Sequence, residues 1–176
     1  MSKWTESAFY KSITLELLAT IPDNQLVQVL FDQIWHNVGE EYSRLEQVLA
    51  EMPAGYSTLY YLVTMHGELG NGGFNQYFFN GYDSKAEQQL EALNAIGATD
   101  HIQIFHDAFS LHETEKDNEE LQELYEERTL ESFFSTYAIT GLGSCDERWF
   151  ALYEQFESLL VQFIRQHLYL FVYSRQ

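Results

Sequence analysis

Near the C-terminus, Trp149, Tyr153, Phe156, Leu160, Phe163, His167 and Leu170 recur at spacings of four and three. A strand brings every second residue to one side, whereas a helix of about 3.6 residues per turn brings together every third and fourth. Sustained over about three heptads, the pattern predicts a long C-terminal helix. It reads as a core helix, with a dimer interface as the other possibility. The same periodicity runs through the rest of the chain. A helix is expected from about Glu6 to Ala19, with Thr5 as its cap. Asp23 or Asn24 should cap a second helix that carries Leu26, Val29, Leu30, Ile34 and Trp35, and Tyr42, Leu45, Val48 and Leu49 mark a third. The two prolines, Pro22 and Pro53, fall where helices stop or start. Ser57 opens a fourth helix through Leu69, and the run Gly70-Asn71-Gly72-Gly73 breaks it. Further helices follow from Ser84, from about Asp100 to Leu111, and from about Asp117 to Arg128, with Thr129 capping a short continuation. The expected fold is all-α: one domain over residues 1–176, with about seven to nine helices and no repeat or linker.

A chain of 176 residues with 45% hydrophobic residues can bury a core, so its charge does not imply disorder. That charge is large: 27 Asp and Glu against 9 Lys and Arg, a formal net of −18. Phosphates are bound by Lys and Arg, which weighs against direct binding to nucleic acid and to anionic membranes. A basic partner is the natural complement, and a merely solvated anionic surface is the alternative. Cys145 has no second cysteine to pair with, and the N-terminus, Met1 to Ser12, has no apolar core of a signal peptide. The apolar run Leu168 to Tyr173 is far too short to span a bilayer. The expected location is the cytoplasm.

Catalytic and metal-binding patterns are weak. No histidine follows a glutamate by three positions, and His101, His106 and His112 are spaced five and six apart, so they present no i, i+4 pair. No metal site and no cofactor are expected. Cys145 sits near a helix start but lacks any local nucleophile signature, and Gly141-Leu142-Gly143 is too short for a phosphate-binding loop.

The carboxylates cluster instead. Nine lie between Glu113 and Glu131, at Glu113, Glu115, Asp117, Glu119, Glu120, Glu123, Glu126, Glu127 and Glu131, with Lys116 and Arg128 the cations among them. On a helix whose inner face is Leu121, Leu124 and Tyr125, residues Glu119, Glu120, Glu123, Glu126 and Glu127 point outward. Glu119, Glu123 and Glu127 form an i, i+4 ladder with steps of about 6 Å along the axis, comparable to the spacing of phosphates along a DNA strand. Like charges at this spacing cost a helix a few tenths of a kcal/mol per pair. Leu130 falls on the acidic side, which predicts a bend near Thr129.

After Met65-His66-Gly67-Glu68-Leu69 comes Asn71-Gly72-Gly73-Phe74-Asn75-Gln76-Tyr77-Phe78-Phe79-Asn80. This segment resembles the N-G-G-F-x-Q-[FY]-F-x-N hallmark of a bacterial helical family, that of the small acidic DNA-mimic protein described from Neisseria. The resemblance covers about ten residues, and length, acidity and helical character agree with it over the whole chain. It implies a non-enzymatic homodimer that presents carboxylates in place of DNA phosphates, occupies the DNA-binding face of a helix-turn-helix transcription regulator, and keeps it off its operator. The motif residues Asn71, Gly72, Gly73, Phe74, Gln76, Tyr77, Phe78 and Asn80 carry no charge, so they read as a fold hallmark. The nine clustered carboxylates read as the partner-binding surface. Two other readings remain open: a small enzyme or ligand-binding domain with a site around Asn71–Asn80 using Tyr77, His66 or Glu68, and a general acidic partner of basic proteins.

Overall fold

A computed structural model describes residue 10 and residues 12–173. The described chain is all-α, with ten α-helices and no strand. They are α1 (Leu15–Thr20), α2 (Asp23–Val38), α3 (Leu45–Glu51), α4 (Gly55–Phe79), α5 (Ala86–Ala95), α6 (Thr99–Glu115), α7 (Glu119–Glu127), α8 (Leu130–Thr136), α9 (Gly143–Ala151) and α10 (Tyr153–Gln166), with short 3-10 turns at Tyr42–Arg44, Tyr82–Lys85 and Leu168–Phe171. The chain packs as two compact units, one formed by the described residues of Met1–Tyr60 and Glu157–Gln176, the other by Tyr61–Phe156.

In the first unit, Leu18, Leu26, Leu30, Ile34, Leu59 and Ile164 are fully buried. Arg165 ties the end of α1 down: its guanidinium donates to the carbonyl of Leu18 at 2.7 Å and to that of Ile21, and its Nε donates to Asp23 at 2.8 Å. Carbonyls at a helix C-terminus lack partners of their own, and a cation there satisfies them. α1 starts later than the periodicity suggests. Thr14, not Thr5, is its cap, its hydroxyl accepting from Leu17 at 3.2 Å; Thr5 and the proposed start at Glu6 lie outside the described residues. Pro22, rather than Asp23 or Asn24, precedes the first turn of α2, in keeping with a residue that has no N–H to satisfy.

In the second unit, Phe74, Tyr77, Phe105, Trp149 and Phe156 are fully buried. Their rings meet mostly edge to face, with Phe74–Trp149 centroids 5.9 Å apart and Tyr77–Phe105 centroids 5.7 Å apart, the arrangement that ring quadrupoles favour.

The long C-terminal helix is α10, and it is shorter than its apolar seam. The seam is divided at Leu152, where α9 ends with φ −106° and ψ 9°, and again at His167, beyond which the chain tightens into a 3-10 turn. At the division the Leu152 N–H donates to the Trp149 carbonyl at 3.0 Å, a tightened i to i−3 turn, while the Leu152 carbonyl keeps a helical bond from the Phe156 N–H at 3.0 Å and also faces Nε2 of the buried His101 at 3.3 Å. Trp149 and Phe156 are buried in the second unit, and Leu160 and Phe163 in the first.

Candidate functional site

α7 is a short helix with a sharp division between its faces. Asn118 caps it, its side-chain oxygen accepting the Leu121 N–H at 3.1 Å. Leu121 is buried, Leu124 and Tyr125 are half-buried, and the Tyr125 ring packs against Phe79 and His112 at centroid distances of 5.8 and 6.1 Å. This is the inner face expected from the spacing. Glu119, Glu120, Glu123, Glu126 and Glu127 are all exposed on the outside. α7 ends at Arg128, which takes the left-handed conformation with φ 53°. Thr129 then starts α8 with a reciprocal capping box to Ser132, both bonds at 3.0 Å. The chain therefore turns where the position of Leu130 required it to, and Glu131 stands exposed in the first turn of α8.

The two cations of this stretch do not neutralise that face. Lys116 pairs with Glu113 at 2.6 Å, which pulls the Glu113 carboxyl down and the Lys116 ammonium up. Arg128 turns away from the carboxylates: its guanidinium donates to the Phe79 carbonyl and lies 5.5 Å from the centre of the Phe79 ring. Glu115 is likewise withdrawn, accepting the Gly141 N–H at 2.7 Å. Asp117 is exposed beside Lys116. Glu119, Glu120, Glu123, Glu126, Glu127 and Glu131 make no hydrogen bond or ion pair among the described residues. Elsewhere in this unit, Asp107 pairs with Arg148 at 2.6 Å, while Asp100 and Glu147 are exposed.

The segment Asn71–Asn80 is built in the opposite way. α4 stays helical through Gly70 and Asn71 and departs from helical geometry only at Gly72 and Gly73, where φ is −156° and +61°. The kink leaves the Phe74 N–H without a helical acceptor, and Asp146 supplies one at 2.7 Å. A Cβ on Gly73 would lie 2.4 Å from the Asp146 carboxylate, so both the positive φ and the close approach require glycine. Asp146 is thus no surface charge. It is half-buried, and desolvation raises its pKa against the lowering effect of the Phe74 N–H. Tyr137 donates its hydroxyl to the Gly72 carbonyl at 2.6 Å, and Thr140 donates to the buried Asn75 at 2.7 Å. Gln76 and Asn80 both donate their amides to one oxygen of Glu68, at 2.9 and 2.7 Å. The Tyr77 hydroxyl is shared between the Tyr82 carbonyl, at 3.0 Å, and the Gln89 amide, and burial pushes its pKa up. Phe74 and Phe78 lie in the core. The long-range holders Asp146, Tyr137 and Thr140 leave no local signal in the sequence.

Beside this segment is an open depression of about 330 Å³ lined by Gln76, Phe79, Asn80, Arg128, Thr129, Leu130 and Phe133. Its amides and guanidinium are already engaged within the fold. His66, Glu68 and Tyr77 are not among its lining residues. His66 stacks on Phe156 with centroids 4.2 Å apart, 4.0 Å from Tyr153. That burial, with His101 adding to it, lowers its pKa to about 4. Cys145 is buried and its thiol is pushed up by desolvation, the opposite of an activated nucleophile. Among the described residues no group of three or more His, Cys, Asp or Glu could hold a metal ion, and no helix is long and apolar enough to cross a membrane.

The chain matches the family model described as DMP19-like protein over residues 50–167, a stretch that includes both the kinked segment of α4 and the acidic face of α7 and α8. It belongs to that family. No curated protein and no solved structure matches the chain.

Proposed function

We propose that this DMP19-like chain acts as a DNA mimic: it presents the carboxylates of α7 and α8 to the DNA-binding face of a helix-turn-helix transcription regulator and so blocks operator binding. DNA mimicry, rather than catalysis, is the character of the family. The observation that carries the reading is the row Glu119, Glu123 and Glu127, exposed together with Glu120, Glu126 and Glu131, while Lys116 and Arg128 are committed elsewhere. A regulator's DNA face is arranged to receive rows of anions, and steps of about 6 Å along a helix offer carboxylates at a phosphate-like spacing. Contacts to phosphates supply much of a regulator's affinity without reading bases, so no mimic of a base edge is needed. In a symmetric homodimer two such faces would meet the paired recognition helices of a dimeric regulator, which lie about 34 Å apart on DNA.

The test is a competition gel shift with purified helix-turn-helix regulators from the same genome, each bound to its operator. The parent protein should release DNA from a particular regulator, more weakly as salt rises. Glu119→Gln/Glu123→Gln/Glu127→Gln should lose at least about tenfold in potency. Equal release by the parent and this variant would remove the α7 face from the mechanism. Release from every basic protein tried, with no preference, would leave only a general acidic partner.

A further inference from the structure

α8 carries a second kind of surface directly beside the acidic one. Leu130, Phe134 and Tyr137 follow one another at i, i+4 and i+7, the spacing of a single helix face, and they are 73%, 63% and 42% exposed. Large apolar side chains at that spacing usually face a core. Here Ser132 and Thr136 face inward, buried, and Phe133 is half-buried against Phe79, while Leu130, Phe134 and Tyr137 point out. Leu130 also borders the open depression, where Phe79 and Phe133 add aromatic wall. Exposed carboxylates bound the stripe: Glu126 and Glu127 at the end of α7, and Glu131 in the first turn of α8.

We propose that this stripe and the depression beside it receive an apolar side chain projecting from the cationic face of the partner protein. The partner is then an amphipathic basic surface and not a uniformly cationic one. The inference rests on the anionic face proposed above and adds the chemistry of what it meets. Charge selects this occupant over a second copy of the chain. Two copies meeting stripe to stripe would set Glu127 and Glu131 of one against the same residues of the other, and Arg128, which lines the depression with Leu130, is already held by Phe79. A cationic partner turns that rim from repulsion to attraction. Protein interfaces concentrate their affinity in a few anchor side chains seated in pockets from which the surrounding contacts exclude water.

Two defined peptides of equal length and charge separate this from simple charge attraction: one of Lys and Leu at helical spacing, the other with Ser in place of Leu. The protein should bind the Lys/Leu peptide at least about tenfold more tightly than the Lys/Ser peptide. Leu130→Ser/Phe134→Ser should abolish that preference and leave Lys/Ser binding and its salt dependence unchanged. Tyr137 is left in place because its hydroxyl holds Gly72, and thermal melting checks that the variant stays folded. The Glu119→Gln/Glu123→Gln/Glu127→Gln variant should weaken both peptides alike. Equal binding of both peptides by the parent, or a preference that survives in the Ser variant, overturns the stripe proposal while the anionic face stands. No effect of the Gln variant on either peptide overturns the anionic face, and the stripe proposal with it. A drop in oligomeric state on Leu130→Ser/Phe134→Ser, read by sedimentation, shows that the occupant is a second copy and overturns the proposal.

Discussion

The kinked end of α4 and the outer face of α7 differ in how their polar groups are used. Around Gly72–Asn80, the Gly72 carbonyl, the Phe74 amide and the side chains of Asn75, Gln76, Tyr77 and Asn80 each have a partner, several of them far away in the chain. On α7, a helix of nine residues holds five exposed carboxylates that engage nothing among the described residues. The uncharged segment spends its chemistry on holding the fold, whereas the acidic helix spends almost none there. The recognisable motif and the proposed functional surface are therefore different parts of one molecule.

Substitutions should separate the two regions by the sign and size of their effect on stability. The largest loss is expected from Gly73→Ala. A Cβ at φ +61° and 2.4 Å from the Asp146 carboxylate adds backbone strain to a clash, and about 4 kcal/mol or more should be lost, or folding abolished; urea denaturation measures it. A milder loss of tolerance would mean that α9 can retreat from the kink.

Acid should come next. The pKa of His66 lies near 4 in the folded protein, below its ordinary value, because its ring is buried among aromatics. The unfolded chain then binds the proton more readily, so stability falls as pH drops from about 6.5 toward 4, by about 3 kcal/mol from this residue alone. His66→Phe should flatten that slope in denaturation curves between pH 7 and 4. His101 and His112, whose pKa values burial also lowers, leave a smaller slope of the same sign.

A pair of variants at Asp146 sharpens the assignment of its role. Asp146→Ala removes the acceptor of the Phe74 N–H and should cost about 1–2 kcal/mol. Asp146→Asn keeps an oxygen there, sheds the cost of desolvating a charge, and should lie within about 0.5 kcal/mol of the parent. If both lose equally, charge and not capping is what matters.

The smallest change, and the opposite sign, belongs to α7. Glu119→Gln/Glu123→Gln/Glu127→Gln should raise stability by about 0.5 kcal/mol at low salt, since like charges at i, i+4 disfavour a helix, while binding collapses. A loss of stability instead would show that these carboxylates support the fold after all.

Where structure is local, the sequence carried it. The inner face Leu121, Leu124, Tyr125 and the cap at Thr129 follow from spacing and from one hydroxyl reaching a nearby amide. The turn before Leu130 was legible as a conflict in register. What stayed hidden depends on partners far away in the chain. Asp146 looks like one more surface carboxylate until the kink delivers Phe74 to it, and nothing near Arg128 announces that its guanidinium will turn to Phe79. The division of the C-terminal seam at Leu152 leaves no sign in its apolar spacing, and His101, which meets the Leu152 carbonyl beside its helical bond, lies 51 positions earlier. For the acidic face, position and exposure could be read from periodicity, but the commitment of both neighbouring cations could not.

The bend in α4 also has a place in time. The Phe74 amide, which the kink leaves without a helical acceptor, finds its acceptor 72 positions later, at Asp146. A chain growing at about 5–20 residues per second makes that acceptor only on the order of ten seconds after the glycines appear. Until then the segment has no anion to hold its corner, and the aromatic residues that follow it have no α9 to pack against. The corner of α4 is thus set late, by a contact that waits for most of the chain to be made.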